Sequence, residues 1–559
     1  MSDKKQQEAE QPRRSHKIWL WIKRWWLPIA ILLITSAGLA CALSIPQRVF
    51  ETPREPANDK SAPVLLAQSN LRLAFLYITG GAIAVMGLIE TFRKNNNEKL
   101  KNDQEKEKND RDHLRQVRAG RRERYTKAVE QLGDEKAPIR MGGVYTLAGL
   151  VDEWLEDESI DKYEDRLKEG QVIINNLCAY IRSPFTLASH YDELSQANPT
   201  SEGIYKDKEE EFYTDKAVLK SEADVRLSII KEIHDRLQGP EENTPGTWSD
   251  FEYDFSGSVF FYPVDLTKSY YKKPINFSGS TYEGRAGFSG STYQGWAYFH
   301  GSTYQGGAYF HGSIYQGGAY FSVSTYTGGA DFSRSTYQGE AYFSDSTYQS
   351  GAYFSVSTYK SEANFHGSTY QGRVYFSGST YKSEANFSGS TYKSEAYFSG
   401  STYQGWVYFS GSTYKSEADF SGSIFCSEIY FGKDGNNSRF SRFTNYAPQL
   451  YDETNHKNTL FGSPNNDFTV ENGRGYPIYR NLEGLPLGCK FLTSEQKEYL
   501  EYKFQEIDET NNKLLKVKDP KEKAELLKKL QALTEELHEW REEATTVKME
   551  GTTSREQDN

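Results

Sequence analysis

Residues 385–406 read ANFSGSTYKSEAYFSGSTYQGW, two consecutive eleven-residue units of a pattern that fills residues 251–432. Phenylalanine returns every eleven residues from Phe277 to Phe431, and a second aromatic series, mostly tyrosine, runs five residues behind it. A fixed period is the signature of a repeat architecture, so this stretch determines the fold. We expect both series to form the repeat core, represented by Phe277, Phe288, Phe299, Phe310, Phe387, Phe398, Tyr282, Tyr293, Tyr304 and Tyr392.

Alternation within each unit indicates extended backbone. Ala385 and Phe387 share one side and Asn386 lies on the other, while Ser390 and Tyr392 share a side in the same way. A period of eleven can also give a right-handed helical supercoil. The units are rich in Gly, Ser, Thr and Tyr, however, and these are middling to poor helix formers. Each unit is therefore predicted to be two short extended sides separated by turns.

The units resemble the pentapeptide-repeat family, in which a small residue stands two before a bulky inward centre. ANFSG and STYKS fit that motif, with one extra residue after every second pentapeptide and with Phe or Tyr at centres where other members often have Leu. The resemblance implies a right-handed, four-sided β-helix in which two units make one 22-residue coil. Upstream, the segments RYTKAVEQLGDEKAPIRMGGVYTLAGLVDEW, NNLCAYIRSP and DVRLSIIKEI are similar to those of bacterial membrane members.

Two apolar stretches near the N-terminus predict a transmembrane helical hairpin. Residues 25–46 hold no charge and are long enough to cross a bilayer, and residues 73–92 begin with a shorter uncharged run. A buried core helix is the alternative for the second stretch, and a cleaved signal peptide at Ala40-Cys41-Ala42 is the alternative for the first. Lysine and arginine concentrate before the first span and after the second, which predicts cytoplasmic termini. We expect the inner (plasma) membrane of a bacterium.

Helices are predicted on both sides of the repeat. Upstream, apolar residues at helical spacing indicate a small helical module, interrupted at residues 184–220 by a polar stretch that we expect to be a loop. Downstream, Asp519 and Pro520 are typical of a helix start, and a helical pair or coiled coil is expected. Whether that pair packs on its own chain is left open.

The predicted fold class is mixed α and β, with the solenoid between helical parts. The predicted order is a basic N-terminus (1–24), transmembrane helices (25–46 and 73–92) around an external loop (47–72), a charged stalk and helical module (93–240), the β-helix (250–432), an irregular cap (433–490), a helical pair (491–545) and a tail (546–559).

The sequence offers no constellation typical of catalysis. It contains no GxxxxGK[ST], HExxH or GxSxG motif, and its four cysteines lie far apart. His300 and His311 are expected on opposite sides of a coil. Glutamates such as Glu395, which lie in Lys-Ser-Glu corners, are expected to take part in mutual charge pairing at the corners rather than in general acid chemistry. We therefore expect no enzyme, no cofactor, no metal site and no small-molecule substrate.

Outward tyrosines recur at intervals of 22 residues and so share faces of the predicted β-helix. Such rows offer rigid amphipathic area for a partner, although strand propensity alone also favours tyrosine there. The candidate interaction surface consists of Tyr298, Tyr320, Tyr342, Tyr408 and Tyr430 on one face and Tyr309, Tyr353, Tyr375 and Tyr397 on another.

Composition narrows the function classes. Aromatic residues make up 14% of the chain, which excludes a disordered protein. The expected function is a membrane-anchored, non-catalytic scaffold with a protein partner in the cytoplasm. One alternative is a nucleic-acid mimic that inhibits or protects a DNA-binding enzyme, but residues 251–432 hold 13 acidic and 10 basic side chains and are not strongly acidic. The net charge of -11 also makes nucleic-acid binding unlikely. A second alternative is an extracellular binding or adhesion module, if the topology is inverted.

Overall fold

The computed structural model describes residues 13–51, 62–433, 439–471, 473–517 and 519–546. The first twelve residues of the predicted N-terminus, the centre of the predicted loop and the tail after Thr546 lie outside these residues. The chain divides into two compact units at residues 119 and 120. The predicted mixed fold class is confirmed, because helices precede a parallel β-solenoid of about eight turns and helices follow it.

The first unit is built from α1 (Arg13–Val49) and most of α2 (Ala62–Leu132). Both helices are long and apolar enough, by length and composition, to cross a membrane. The second span was predicted to end at residue 92 and to be followed by a charged stalk, and α2, which is 71 residues long in all, runs without a break through that stalk to Leu132. The continuation is explained by residues 93–118, which lack Gly and Pro and are rich in Lys, Arg, Glu and Gln, all good helix formers.

The two helices of this unit approach closely at a glycine. A Cβ atom on Gly38 would lie 2.1 Å from Thr79 Oγ1, so only glycine leaves room for the α2 side chain there. Small residues allow this kind of close helix packing in membrane proteins. Where α1 ends and α2 begins, Gln68 Nε2 donates a hydrogen bond to the Phe50 carbonyl at 2.5 Å.

The second unit opens with the end of α2 and a helical module. The module contains α3 (Ala137–Leu155), α4 (Tyr163–Arg182), a 3-10 turn (Thr186–His190), α5 (Tyr191–Leu194) and α6 (Glu209–Leu237). The prediction of a loop over residues 184–220 is wrong in its last third, where α6 begins at Glu209, and the 3-10 turn and α5 lie within its first third. Phe212 and Leu219 are buried at a spacing of seven, but the polar residues between them hide that period in the sequence.

Each coil of the solenoid contributes one two-residue strand to each of four parallel sheets. Successive strands of a sheet are 22 residues apart, as in the pairing of Tyr298 with Tyr320. Sheet A contains Tyr253–Asp254, Ile275–Asn276, Ala297–Tyr298, Ala319–Tyr320, Ala341–Tyr342, Ala363–Asn364, Ala385–Asn386, Val407–Tyr408 and Ile429–Tyr430. Sheet B contains Val259–Phe260, Thr281–Tyr282, Thr303–Tyr304, Thr325–Tyr326, Thr347–Tyr348, Thr369–Tyr370, Thr391–Tyr392, Thr413–Tyr414 and Arg442–Phe443.

Sheets C and D complete each coil in the same manner. Sheet C contains Val264–Asp265, Ala286–Gly287, Ala308–Tyr309, Ala330–Asp331, Ala352–Tyr353, Val374–Tyr375, Ala396–Tyr397 and Ala418–Asp419. Sheet D contains Tyr270–Tyr271, Thr292–Tyr293, Ile314–Tyr315, Thr336–Tyr337, Thr358–Tyr359, Thr380–Tyr381, Thr402–Tyr403, Ile424–Phe425, Leu460–Phe461 and Lys490–Phe491. A small antiparallel pair, Tyr451–Asp452 and Lys457–Asn458, stands apart from these sheets.

The solenoid interior is filled by stacked aromatic rings. Phe310 and Phe332 stack with ring centroids 5.0 Å apart, and Tyr315 and Tyr337 stack at 4.8 Å. Neighbouring phenylalanine columns meet edge to face, as Phe310 and Phe321 do at 4.9 Å. Both arrangements are favourable for aromatic pairs. The ten residues named above as representatives of the core are all at most 1% exposed.

Serine precedes the inward tyrosines because its hydroxyl links the coils. Ser302 Oγ accepts a hydrogen bond from the backbone N–H of Ser280 in the preceding coil and donates one to the Phe277 carbonyl at 3.1 Å. The same pattern repeats along sheets B and D, as at Ser335. These bonds satisfy polar groups that the narrow core would otherwise bury without partners.

Both ends of the solenoid are covered by its own chain. At the first coil, α4 contacts the solenoid closely, since a Cβ on Gly170 would lie 2.7 Å from Phe251 Cζ. The buried Arg226 stacks its guanidinium on Phe261 of the same coil, 5.4 Å from the ring centroid. At the far end, Phe443 and Phe461 extend two of the aromatic columns beyond the regular repeats.

The C-terminal helices α7 (Ser494–Lys516) and α8 (Pro520–Thr545) pack on each other and on sheet D. Thr493 and Gln496 form a capping box at the start of α7. The apolar core that the two helices share with sheet D consists of Ile424, Leu460, Leu492, Leu500, Phe504, Ile507, Leu533 and Leu537. The sequence left open where this pair packs, and the structure places it on its own chain.

Candidate interaction surface

Strand geometry places the candidate tyrosines on the outside of sheets A and C. In each strand of these sheets the first residue, usually alanine, is buried, and the second points outward. Because sheets A and C alternate with B and D around the coil, the two tyrosine rows lie on opposite sides of the solenoid. The structure therefore brings the nine predicted residues together as two separate columns.

The sheet A column has two parts. Tyr298, Tyr320 and Tyr342 stack with centroid distances of 5.3 and 5.2 Å. Tyr408 and Tyr430 stack at 5.1 Å. In the two coils between these parts the outward residue is asparagine.

The sheet C column is also interrupted. Tyr353, Tyr375 and Tyr397 stack at 5.1 and 5.0 Å with interplanar angles of 1° and 9°. Tyr309 is separated from them by the coil of Asp331. The column thus contains one three-ring stack and one isolated ring.

The rings of each stack present their edges to solvent, because their planes face one another along the solenoid axis. Eight of the nine tyrosines are consequently only partly exposed, and Tyr353 at the end of its stack is the most open, with 43% of its surface exposed. A partner would therefore meet phenol edges and hydroxyl groups along most of each column. Ring faces are available only where a stack ends.

Carboxylates border the tyrosine hydroxyls of sheet A. Tyr342 Oη donates a hydrogen bond to Glu340 Oε2 at 2.9 Å, and Tyr430 donates one to Glu428. Burial and the adjacent carboxylate together raise the pKa of each tyrosine to about 12. Both phenols therefore remain protonated hydrogen-bond donors at neutral pH.

Charged corner residues form ion pairs between neighbouring coils and with α7. Arg373 donates from Nε and Nη2 to the two carboxylate oxygens of Glu395, both at 3.2 Å, across one coil step. The hydrogen bond from Arg373 is the main reason that the pKa of Glu395 falls to about 2. Lys382 pairs with Asp508 of α7. Glu395 thus pairs with an arginine at the corner of the preceding coil, whereas Lys382 pairs with a carboxylate outside the repeat.

Sequence reasoning missed several exposed groups beside the columns. Trp296 and Trp406 are each about half exposed at corner positions of sheet A, and Trp296 stacks on Tyr320 at 5.5 Å. On sheet C, the Arg285 guanidinium lies 4.7 Å from the Tyr309 ring centroid. The two tryptophans stand two residues before an outward tyrosine, and this regular position was the signal that could have identified them, whereas Arg285 stands two residues before a glycine and gave no such signal.

The remaining candidate chemistry is dispersed or buried. Burial raises the pKa of the Cys178 and Cys489 thiols to about 12, so neither is a ready thiolate. His311 and His366 each form a hydrogen bond through Nδ1 with a serine of a neighbouring coil at 3.0 Å, and His311 Nδ1 also lies 3.4 Å from Asp331 Oδ2. In the described part of the chain no three His, Cys, Asp or Glu residues are grouped as metal ligands.

The two other sheets present different surfaces. Sheet B shows a row of threonines at its outward positions, such as Thr325 and Thr347. Sheet D is covered at its C-terminal coils by α7 and α8, which bury Thr380 and Thr402. No protein-family model, no curated protein and no solved structure matches the chain. The pentapeptide-repeat resemblance therefore rests on the repeat itself and on the four-sided parallel solenoid that it forms.

Proposed function

We propose that the chain is a membrane-anchored, non-catalytic scaffold whose solenoid offers sheets A and C to a protein partner in the cytoplasm. The observation that carries this proposal is the in-register alignment of outward tyrosines on these two sheets. Tyrosine supplies rigid contact area and a hydrogen-bonding hydroxyl at low cost in side-chain entropy, and it is enriched at protein interfaces.

The stacked interior supports a role as a rigid platform. Every coil adds fully buried aromatic rings, and their stacking fixes the spacing of the outward side chains to that of the strands. A partner that matches this spacing does not have to order the surface on binding, which reduces the entropic cost of association. Repeat solenoids use extended surfaces of this kind for recognition.

The distribution of charge supports anchoring with both termini inside the cell. Residues 1–24 carry seven Lys and Arg, and residues 93–127 carry thirteen against seven acidic residues. Positive charge next to a span favours the cytoplasmic side. The solenoid follows the second span in the sequence and is therefore assigned to the cytoplasm.

Topology is tested by protease treatment of cells that carry a C-terminal tag. We expect the tag to be protected in intact cells and cleaved after permeabilisation. Cleavage in intact cells would contradict the cytoplasmic assignment and would favour an extracellular binding module.

The interaction role is tested by a photo-reactive benzoylphenylalanine placed in the full chain, in cells. We expect position 320 on sheet A or position 353 on sheet C to form a discrete crosslink to another protein. Position 369 on sheet B, which replaces an outward threonine in the same solenoid, is the matched control. Equal crosslinking at all three positions, or none at 320 and 353, would refute sheets A and C as the binding surface.

A further inference from the structure

A one-ring gap interrupts the tyrosine column of sheet C. Asp331 pairs in register with Tyr309 on one side and with Tyr353 on the other. All the remaining strands of sheet C between Ala308 and Tyr397 carry an outward tyrosine at this position. The missing ring leaves a slot between the rings of Tyr309 and Tyr353.

The floor of the slot is bare backbone. Tyr309 and Tyr353 each lie over the glycine two residues earlier, because a Cβ on Gly307 or Gly351 would lie 2.7 or 3.0 Å from the ring's Oη. Above Gly329, by contrast, a Cβ would meet nothing closer than a backbone oxygen at 3.9 Å. Gly329 is exposed, so the layer that a ring would fill is open to solvent.

The width of the slot matches one planar group. Neighbouring rings in this column are 5.0 to 5.1 Å apart, and Tyr309 and Tyr353 are two coil steps apart. Their planes are therefore about 10 Å apart, which leaves room for one layer of stacked atoms. The outer faces of both rings are already used, by Arg285 at 4.7 Å from Tyr309 and by Tyr375 at 5.1 Å from Tyr353.

The slot carries a negative charge. Asp331 Oδ1 accepts hydrogen bonds from the Ser333 backbone N–H at 3.0 Å and from its hydroxyl at 2.6 Å. Asp331 Oδ2 lies 3.4 Å from His311 Nδ1. Asn386 makes the same contacts to its own Ser388 in sheet A, so the turn does not require a carboxylate.

We propose that this slot binds the guanidinium group of an arginine side chain from a protein partner. A guanidinium is planar and positively charged, so it can stack between two tyrosine faces while Asp331 supplies the opposite charge. The same column shows the preference directly, since Arg285 already stacks on the outer face of Tyr309. Lysine fits less well because its ammonium is not planar.

This inference rests on the proposed function, because it names the chemistry of the partner that sheet C receives. The gap in sheet A is different. Asn364 and Asn386 leave two adjacent layers there, and the corner positions equivalent to Gly329 hold Glu362 and Glu384 instead of glycine. Sheet A therefore offers a matched site for control substitutions.

The test uses the full chain in detergent micelles with N-acetyl-arginine amide as probe, observed by saturation-transfer difference NMR. We expect saturation of the arginine δ-methylene protons and little saturation of N-acetyl-lysine amide. Asp331→Tyr completes the column with a residue that neighbouring coils already accept, and it should weaken binding by about tenfold or more. Asn364→Tyr adds a ring to sheet A and should leave binding unchanged.

Asp331→Asn separates charge from shape, because asparagine keeps the turn and the size of the side chain. We expect it to weaken binding of the arginine probe by about threefold to tenfold. Equal binding of the probe to wild type and Asp331→Tyr would overturn the proposal, and so would equal binding of N-acetyl-tyrosine amide. Tighter binding of free arginine than of the capped residue would overturn the assignment to a protein side chain. If the arginine probe does not bind but position 320 still forms its crosslink, the slot proposal is wrong and the proposed scaffold function is retained.

Discussion

Among the described residues, the buried hydroxyl groups of Tyr315, Tyr337 and Tyr359 have no hydrogen-bond partner, and removal of these hydroxyls should stabilise the solenoid. Tyr337 is fully buried and stacks on Tyr315 at 4.8 Å and on Tyr359 at 4.7 Å. In the described part of the chain, all three hydroxyls lack a partner in hydrogen-bond geometry. The nearby Ser335 hydroxyl already donates to the Phe310 carbonyl at 3.2 Å.

The expected gain follows from the cost of a buried, unsatisfied polar group. Such a group costs about 1–3 kcal/mol, while the phenyl ring of phenylalanine keeps the stacking and leaves only a small void. Each Tyr→Phe substitution should therefore raise the free energy of unfolding by about 1 kcal/mol. The triple variant at positions 315, 337 and 359 should gain about 3 kcal/mol. If residues 251–432 unfold together, this gain raises Tm by about 8 °C.

The assay is thermal unfolding of the full chain in detergent micelles, followed by near-ultraviolet circular dichroism. Tyr375→Phe is the matched control, because it removes a hydroxyl from the partly exposed column of sheet C. That variant should change Tm by less than about 2 °C. A fall in Tm for the triple variant would show that the inward hydroxyls are satisfied in the folded protein, and the reasoning above would then be wrong.

Three further predictions concern pH, backbone strain and the C-terminal helices. Desolvation raises the pKa of the inward tyrosines, Tyr326 among them, so the protein should keep its full stability below pH 10 and lose stability above it, as the tyrosines of the unfolded chain deprotonate. Tyrosinate absorbance at 295 nm should therefore rise together with unfolding. Ionisation of all tyrosines without unfolding would contradict this expectation. Val323 has a left-handed φ of 59° at a corner where most repeat units have glycine, so Val323→Gly should raise the free energy of unfolding by about 0.5–1 kcal/mol. The same thermal assay measures this change, and a loss of stability would show that the valine backbone is not strained. Asp508→Asn removes the carboxylate that pairs with the Lys382 side chain, which is only 6% exposed, so hydrogen exchange in α7 should accelerate by an amount equivalent to about 1–2 kcal/mol. Combining this variant with Lys382→Met should restore protection.

The repeat architecture could be predicted from the sequence because two independent periods agree. Alternation with a period of two places Ala385 and Phe387 on the same side, and the aromatic residues recur every eleven. That two units form one coil was implied by the family resemblance, and the structure confirms it by pairing Ala385 with Val407, 22 residues later. Hydrogen bonding then forces parallel, in-register sheets, since each strand is only two residues long. A slip of one residue would move the phenylalanines to the outside, so the inward pattern excludes that shift.

The docking of α7 and α8 could not be predicted in the same way. Lys382 and Lys393 occupy identical positions in Lys-Ser-Glu corners, yet only Lys382 lies under α7 and pairs with Asp508. Which sheet the helices cover depends on contacts between distant segments, such as Ile424 with the apolar stripe of the helical pair. A repeated sequence gives every coil nearly the same surface, and it therefore contains little information about which coils are covered.

The orientation of the outward rings was equally inaccessible to sequence reasoning. Alternation identified Tyr309 and Tyr353 as outward, but it did not show that each ring lies down over the glycine two residues before it. That geometry depends on the absence of a Cβ at Gly307 and Gly351. It turns a row of tyrosines into an edge-on stack, and it makes the absence of a ring at Asp331 a defined space.

The interruptions in the columns carry more information about function than the columns do. An additional tyrosine at Asp331 would join the rings on both sides, and each stacked pair contributes about 0.5–1.5 kcal/mol. Stability alone therefore favours tyrosine at that position, and the turn that Asp331 caps is made equally well by asparagine elsewhere. Packing and turn geometry do not require a carboxylate between two tyrosine faces, and the structural contact that Asp331 also makes is that of its Oδ2 with His311 Nδ1 at 3.4 Å. Recognition of a planar cation explains the carboxylate, and the Asp331→Tyr variant separates these accounts, because it should gain stability while losing the arginine probe.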